Sequence, residues 1–216
     1  MRVEGKASEL AELLFPDGLV PQILSLIMDV WKSIARPAVT EDEPKITNRF
    51  AKAMQHEKRQ RGHKFTVKPH VKELENLDET TGKGFGEIDI LVQHGYDERC
   101  YFGIEAKKLN STTKTGNWDS GAGDYVGEPG MGCFIDGRYS YNQLHGGMIG
   151  YVMDGDCPGA KTAIANSMKR KANYLKMSVS CKLEPSGHFP SCPEVFETRH
   201  HLERGEFTIF HVLLAA

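Results

Sequence analysis

Residues 84–109 constrain this chain more than any other stretch. They read Gly-Phe-Gly-Glu-Ile-Asp-Ile-Leu-Val-Gln, a polar turn, then Cys-Tyr-Phe-Gly-Ile-Glu-Ala-Lys-Lys-Leu. Two apolar runs rich in β-branched and aromatic residues, 88–93 and 100–106, flank His94-Gly95-Tyr96-Asp97-Glu98-Arg99. Such runs around a turn predict a β-hairpin. Strand side chains alternate faces, so Glu105 and Lys107 share one face, about 6.6 Å apart at ~3.3 Å per residue. A turn centred on Asp97 sets Asp89 across from Glu105, on the same face and ~4.5–5.5 Å away. Two carboxylates and a lysine then gather at one end of a hairpin whose other face, Phe102, Ile104 and Ala106, is apolar.

Neighbouring anions repel, and burying them together is costly unless a cation joins them. One or two carboxylates, with water and a substrate phosphate, are what Mg²⁺ uses. A lysine beside them suits the attacking water or the charge on a phosphoryl oxygen. Asp89 followed by Glu105-Ala106-Lys107 resembles the core of the PD-(D/E)xK phosphodiesterase superfamily, the restriction-endonuclease-like nucleases. The resemblance covers 41–109 well and the rest loosely. It implies that Asp89 and Glu105 bind Mg²⁺, with Mn²⁺ as a substitute, and that Lys107 acts on the nucleophile. Compact members with a Glu-Ala-Lys-Lys-Leu strand and a following Gly-rich loop look like bacterial restriction or anti-phage nucleases, with DNA favoured over RNA. The competing reading is an exposed cross-strand ion pair of Glu105 with Lys107, with Asp89 on the same solvated face.

At 216 residues the length fits one domain, with residues 1–40 as a helical N-terminal elaboration. Hydrophobic residues at 39% and charged residues at 26% are the mix of a globular chain with a core. A net charge of −2 excludes attraction of the whole molecule to nucleic acid, so any such surface is local. The five cysteines, at 100, 133, 157, 181 and 192, contain no C-x-x-C pair, which argues against a disulfide framework or zinc ribbon. No basic segment leads into an apolar stretch at the start, and no apolar run approaches ~18 residues. The expectation is a cytoplasmic protein with reduced thiols and no membrane association.

Ahead of the hairpin, Val20, Ile23, Leu24, Ile27, Trp31 and Ile34 follow a helical stripe, with Pro21 in its first turn and Pro37 beyond its end. The stripe reads as core, with a dimer face as its rival. Thr40-Glu41-Asp42-Glu43 matches a capping box, opening a helix to about residue 59 with Ile46, Phe50, Ala53 and Met54 inward. The superfamily's helix ahead of the sheet often supplies a further acidic residue to the metal, and Glu43 is the matching position. A plain helix-capping role for Glu43 stands equally beside it. Residues 65–71 predict a strand that Pro69 makes bent or an edge. Residues 72–83 form a charged connection, and Gly82-Lys83-Gly84-Phe85-Gly86 lacks phosphate-loop spacing and reads as a turn.

Beyond Lys108, residues 110–142 read as a long loop of the kind that is functional or mobile. Trp118, Tyr125, Phe134, Tyr139 and Tyr141 are candidates for stacking on bases, or for anchoring the loop, and Lys114 and Arg138 for meeting phosphates. A short helix is expected within 129–137 and a glycine-rich strand over 146–153. A helix is expected over 160–177, apolar at Ile164, Met168, Ala172 and Leu175 and basic at Lys161, Lys169, Arg170, Lys171 and Lys176. That basic face is either solvated or turned to a polyanion. Strands follow at 178–184 and 206–214. The resemblance adds a polar residue, commonly Gln, near the metal, and Gln143 is the nearest match. With Lys108, Lys169, Arg170 and Lys171 it makes up the set expected against nucleic acid. His188, Cys192, His200 and His201 fit no established zinc spacing.

The expected fold is α/β (α+β), a central mixed β-sheet flanked by helices with a restriction-endonuclease-like core. The expected function is a Mg²⁺-dependent nuclease. Its rivals are a catalytically silent nuclease-fold subunit, in a homodimer or beside a defence-system partner, and a phosphohydrolase acting on nucleotides. The presence of Asp89, Glu105 and Lys107 together favours catalysis.

Overall fold

The computed structural model describes residues 14–72, 86–112, 115–177 and 182–216. The charged connection after residue 72, the Gly82–Gly86 turn and Lys114 lie wholly or mostly outside them. The sequence also suggests a frayed arm or a short helix over residues 8–15, most of which lies outside them as well.

A turn of 3-10 helix, Asp17–Leu19, leads into α1, Val20–Ser33, with Pro21 in its first turn as expected. The second helix, α2, is Glu43–Gln60. Then come β1, Phe65–Lys72, and the hairpin strands β2, Glu87–His94, and β3, Tyr101–Leu109. A small ribbon of β4, Ser111–Thr112, and β5, Trp118–Asp119, precedes the short helices α3, Ala122–Val126, and α4, Gly132–Ile135. Strand β6, His145–Val152, is followed by α5, Cys157–Arg170. Strands β7, Glu184–Pro185, β8, Val195–Leu202, and β9, Gly205–Ala215, complete the chain.

Seven strands form one mixed sheet in the order β1-β2-β3-β6-β9-β8-β7. β3, β6 and β9 run parallel at its centre, and the outer pairs are antiparallel. The fold is therefore α/β with a mixed sheet, and β1 is the edge strand that Pro69 predicted. Helices cover both faces. Val20, Ile27, Trp31, Ile46 and Phe50 pack with Phe102, Ile104, Ala106 and Tyr151 on one face. Tyr125, Phe134, Ile164 and Met168 pack with Leu109, Met148 and Leu213 on the other. Each large apolar side chain so buried is worth about 1.5–3 kcal/mol.

Packing fixes α1 against β6 and β9. Trp31 stacks on Tyr151, with ring centroids 5.4 Å apart, and its Nε1 donates to the Ala215 carbonyl at 2.7 Å. The glycines of β6 admit neighbouring side chains, since a Cβ on Gly147 would lie 2.8 Å from the Phe102 ring and one on Gly150 2.5 Å from Leu109.

Several expectations are corrected. The capping box is not made: Asp42 is the N-cap, with no side-chain cap bond, and the Glu43 carboxylate turns to β3. The basic helix stops at Arg170, and Lys171 and Lys176 sit in the turns that follow. Strand β8 was not anticipated, and the strand expected at 178–184 lies mostly outside the described residues, with Glu184 alone falling in β7. Tyr125, Phe134 and Tyr139 are core residues, which leaves Trp118 and Tyr141 exposed. His200 is buried in a hydrogen-bonded chain from Leu175 O through Thr198 and His211 to Tyr125, well removed in role from a zinc ligand.

Candidate active site

The hairpin register places the three residues of the motif together. The ladder pairs Ile90 with Ile104 and Gln93 with Tyr101, each pair centred on Asp97 as expected. Asp89, one step beyond the last pair, accepts the Ala106 N–H at 2.8 Å. The carboxylate thus takes the place of a ladder bond and ends the pairing at the residue between Glu105 and Lys107.

A change of facing accompanies this. Residues two apart in a strand normally share a face, yet Ile90 and Val92 join the core under α1 and α2 while Ile88 joins the opposite one. On β1, Phe65 and Val67 belong to the first core and Val71 packs against the second. Both strands switch between those residues, where Asp89 and His70 stand. His70 has φ +47°.

Glu105 is buried, and its Oε1 lies 2.5 Å from Lys107 Nζ. Its Oε2 is buried with no hydrogen-bond partner among the described residues. Burial first, and then the charge of Asp89, pushes its carboxyl up to about 8 against the pull of Lys107. Asp89 is raised by burial, with Lys107 and the Ala106 N–H pulling it back. Burial alone would lower Lys107, but Glu105, Glu43 and Asp89 together outweigh it and hold the ammonium charged.

Glu43 reaches the same place from the start of α2. Its Oε2 accepts the Lys108 N–H at 2.6 Å, and its Oε1 lies 3.5 Å from Lys107 Nζ. Burial raises its carboxyl, countered by Lys107 and the Lys108 N–H. The helix N-terminus adds its partial positive charge to the same carboxylate.

The other expected residues do not join the cluster. Gln143 is buried ahead of β6, accepting the Phe15 N–H and donating to the Arg99 carbonyl at the turn end of the hairpin. The Lys108 ammonium is bound to the carbonyls of Val39 and Glu41, so it ties down the loop before α2. Lys171 donates to Gly123 O, and Arg138 to Glu128 O. Lys169 and Arg170 are exposed at the end of α5.

The donor set fits a hard divalent cation in chemistry: carboxylates from Asp89 and Glu105, and one buried oxygen with nothing yet to bind. As the side chains stand, no three His, Cys, Asp or Glu groups among the described residues surround one point. The sequence missed His70 and Glu87, which pair at 3.1 Å beside Asp89, and Tyr139, whose hydroxyl donates to Glu87 O at 2.5 Å. Only the register of β1 against β2 brings His70 to Glu87, and no local pattern sets that register; Tyr139 reaches Glu87 from the segment after α4.

No family model, curated protein or solved structure matches the chain. No helix among the described residues is long and apolar enough to cross a membrane.

Proposed function

We propose that this chain is a divalent-metal-dependent nuclease of the PD-(D/E)xK kind, hydrolysing phosphodiester bonds in nucleic acid, with DNA favoured. The observation that carries this is the buried Glu105 Oε2, unpartnered among the described residues, in a side chain whose other oxygen holds Lys107. An exposed ion pair, the rival reading, has no reason to bury such an atom or to seat two further carboxylates around the lysine. Asp89 and Glu105 would hold the ion, and Mg²⁺ or Mn²⁺ held there would supply positive charge for the scissile phosphate and for activation of water. Lys107, kept charged by its three acidic neighbours, orients the attacking water or meets the charge growing on phosphorus-bound oxygen. Glu43 holds Lys107 and the Lys108 backbone in register with α2. A restriction or anti-phage role follows from the resemblance alone.

The test is incubation with plasmid, linear and single-stranded DNA and with RNA, in Mg²⁺, Mn²⁺ or EDTA. Metal-dependent cleavage lost in Glu105→Gln and Lys107→Ala is the expected result. Failure to cut any of the four polymers with either metal overturns it.

A further inference from the structure

His70 stands on β1 between the pairs Pro69 with Ile90 and Val71 with Ile88, and so faces Asp89 across the ladder. It holds φ +47°, a conformation uncommon for any residue that bears a side chain, and persists there because its surroundings fix it. Its Nδ1 lies 3.1 Å from Glu87 Oε1. In the neutral imidazole that carboxylate keeps the proton on Nδ1 and leaves the lone pair on Nε2. Nε2 is buried and has no partner among the described residues. A ring oriented by a carboxylate through one nitrogen, with its other nitrogen open, is the arrangement of a metal-ligating histidine. A simple pair with Glu87 does not explain why the second nitrogen is buried without a partner among the described residues.

We propose that His70 Nε2 is a third ligand, with Asp89 and Glu105, of the divalent cation, and that Glu87 orients it. This rests on the reading of Asp89 and Glu105 as metal ligands and adds a preference. Side-chain rotation must bring the groups around one ion. That rotation loosens the bond of Glu105 Oε1 to Lys107, and half-exposed Glu87 must follow His70 to keep its hold on Nδ1; against this the ion gains Nε2 and Oε2, which have no partner among the described residues. A nitrogen donor moves the site away from the all-oxygen set that suits Mg²⁺ and toward Mn²⁺, which accepts imidazole more readily.

The experiment is calorimetric titration of Mn²⁺ and of Mg²⁺ into metal-free protein, with the Mn²⁺ electron paramagnetic resonance spectrum as a second readout. His70→Asn and His70→Gly are the variants, because both residues accept positive φ and leave the backbone unstrained. Both are expected to fold as well as wild type, to weaken Mn²⁺ by about tenfold or more, and to weaken Mg²⁺ less. The Mn²⁺ preference then narrows. Mn²⁺ affinity lost in Asp89→Asn and Glu105→Gln but unchanged in both His70 variants overturns the role of His70 and leaves the acidic site intact. Wild-type protein that takes up no Mn²⁺, or takes it up equally well in Asp89→Asn and Glu105→Gln, overturns the acidic site and His70 with it.

Discussion

The Asp89 carboxylate accepts the backbone N–H of Ala106 at 2.8 Å, so the residue expected to bind metal also closes the end of its own hairpin. The two duties separate by substitution. Asp89→Asn keeps an oxygen for the Ala106 N–H and loses the charge, so cleavage should vanish with stability near wild type. Asp89→Ala leaves a part-buried donor unpaired, which costs about 1–3 kcal/mol. Urea unfolding of both variants, alongside the nuclease assay, checks this. Equal stability in the two would show that the bond holds nothing.

Glu43 invites the same comparison, because its two oxygens do different things. Oε2 takes the Lys108 N–H and Oε1 faces Lys107. Glu43→Gln retains an acceptor for Lys108, so stability should change by less than about 1 kcal/mol while kcat falls about tenfold or more. Full activity with a large loss of stability would return Glu43 to the role of a structural clamp.

Glu105 gives the metal-free protein a pH dependence of known sign. Its carboxyl is raised from 4.5 to about 8, by burial first and by Asp89 second. Folded protein therefore keeps a proton that unfolded protein has released across that window. The contribution to stability is fully present below about 4.5 and is lost as pH rises through about 8. In EDTA, the Tm of wild type should fall relative to Glu105→Gln over this range. Mg²⁺ should restore it at the upper end, since a ligand bound to the folded state alone adds stability by mass action. Parallel curves for the two proteins in EDTA would mean that Lys107 keeps Glu105 ionised throughout.

What was legible in the sequence is what depends on short-range pattern. The alternation around Asp97 predicted the register that sets Asp89 beside Glu105, because a short turn leaves a hairpin few alternatives. The stripe from Val20 to Trp31 predicted α1, because one continuous face had to be buried. The resemblance matches Glu43 to the site, while the capping box it suggests is not formed: the same side chain cannot both fold back on Thr40 and reach Lys108. Long-range partners were not legible. His70 meets Asp89 only through the β1–β2 pairing, whose connection lies mostly outside the described residues. Tyr139 stays open in the sequence between stacking on bases and anchoring the loop, because nothing in residues 110–142 says which rings turn inward. Gln143 was placed by proximity in sequence to a strand, and parallel pairing of β3 with β6 carries that end of β6 to the hairpin turn instead.

The end of α5 decides how a polymer would be held. Of the three cations expected there to meet phosphate, Lys171 is bound to the Gly123 carbonyl, while Lys169 and Arg170 are exposed. With a net charge of −2 the chain has no general attraction for a polyanion, so a few local cations must supply the counterion release that drives binding. Replacing Lys169 and Arg170 by alanine should weaken duplex binding across all sequences. It should also flatten the dependence of log affinity on log salt by up to about 0.9 for each phosphate no longer neutralised. Lys171→Ala should leave that slope unchanged, since its ammonium is already committed to the loop. Catalysis at saturating polymer should survive in the double variant, because these cations act in binding and not in the chemical step. The measurement is affinity against salt in Ca²⁺ on a Glu105→Gln background, which keeps the polymer uncut. A slope shared by wild type and the double variant would make this end of α5 a solvated surface and move the polymer-binding surface to the exposed ribbon at Trp118.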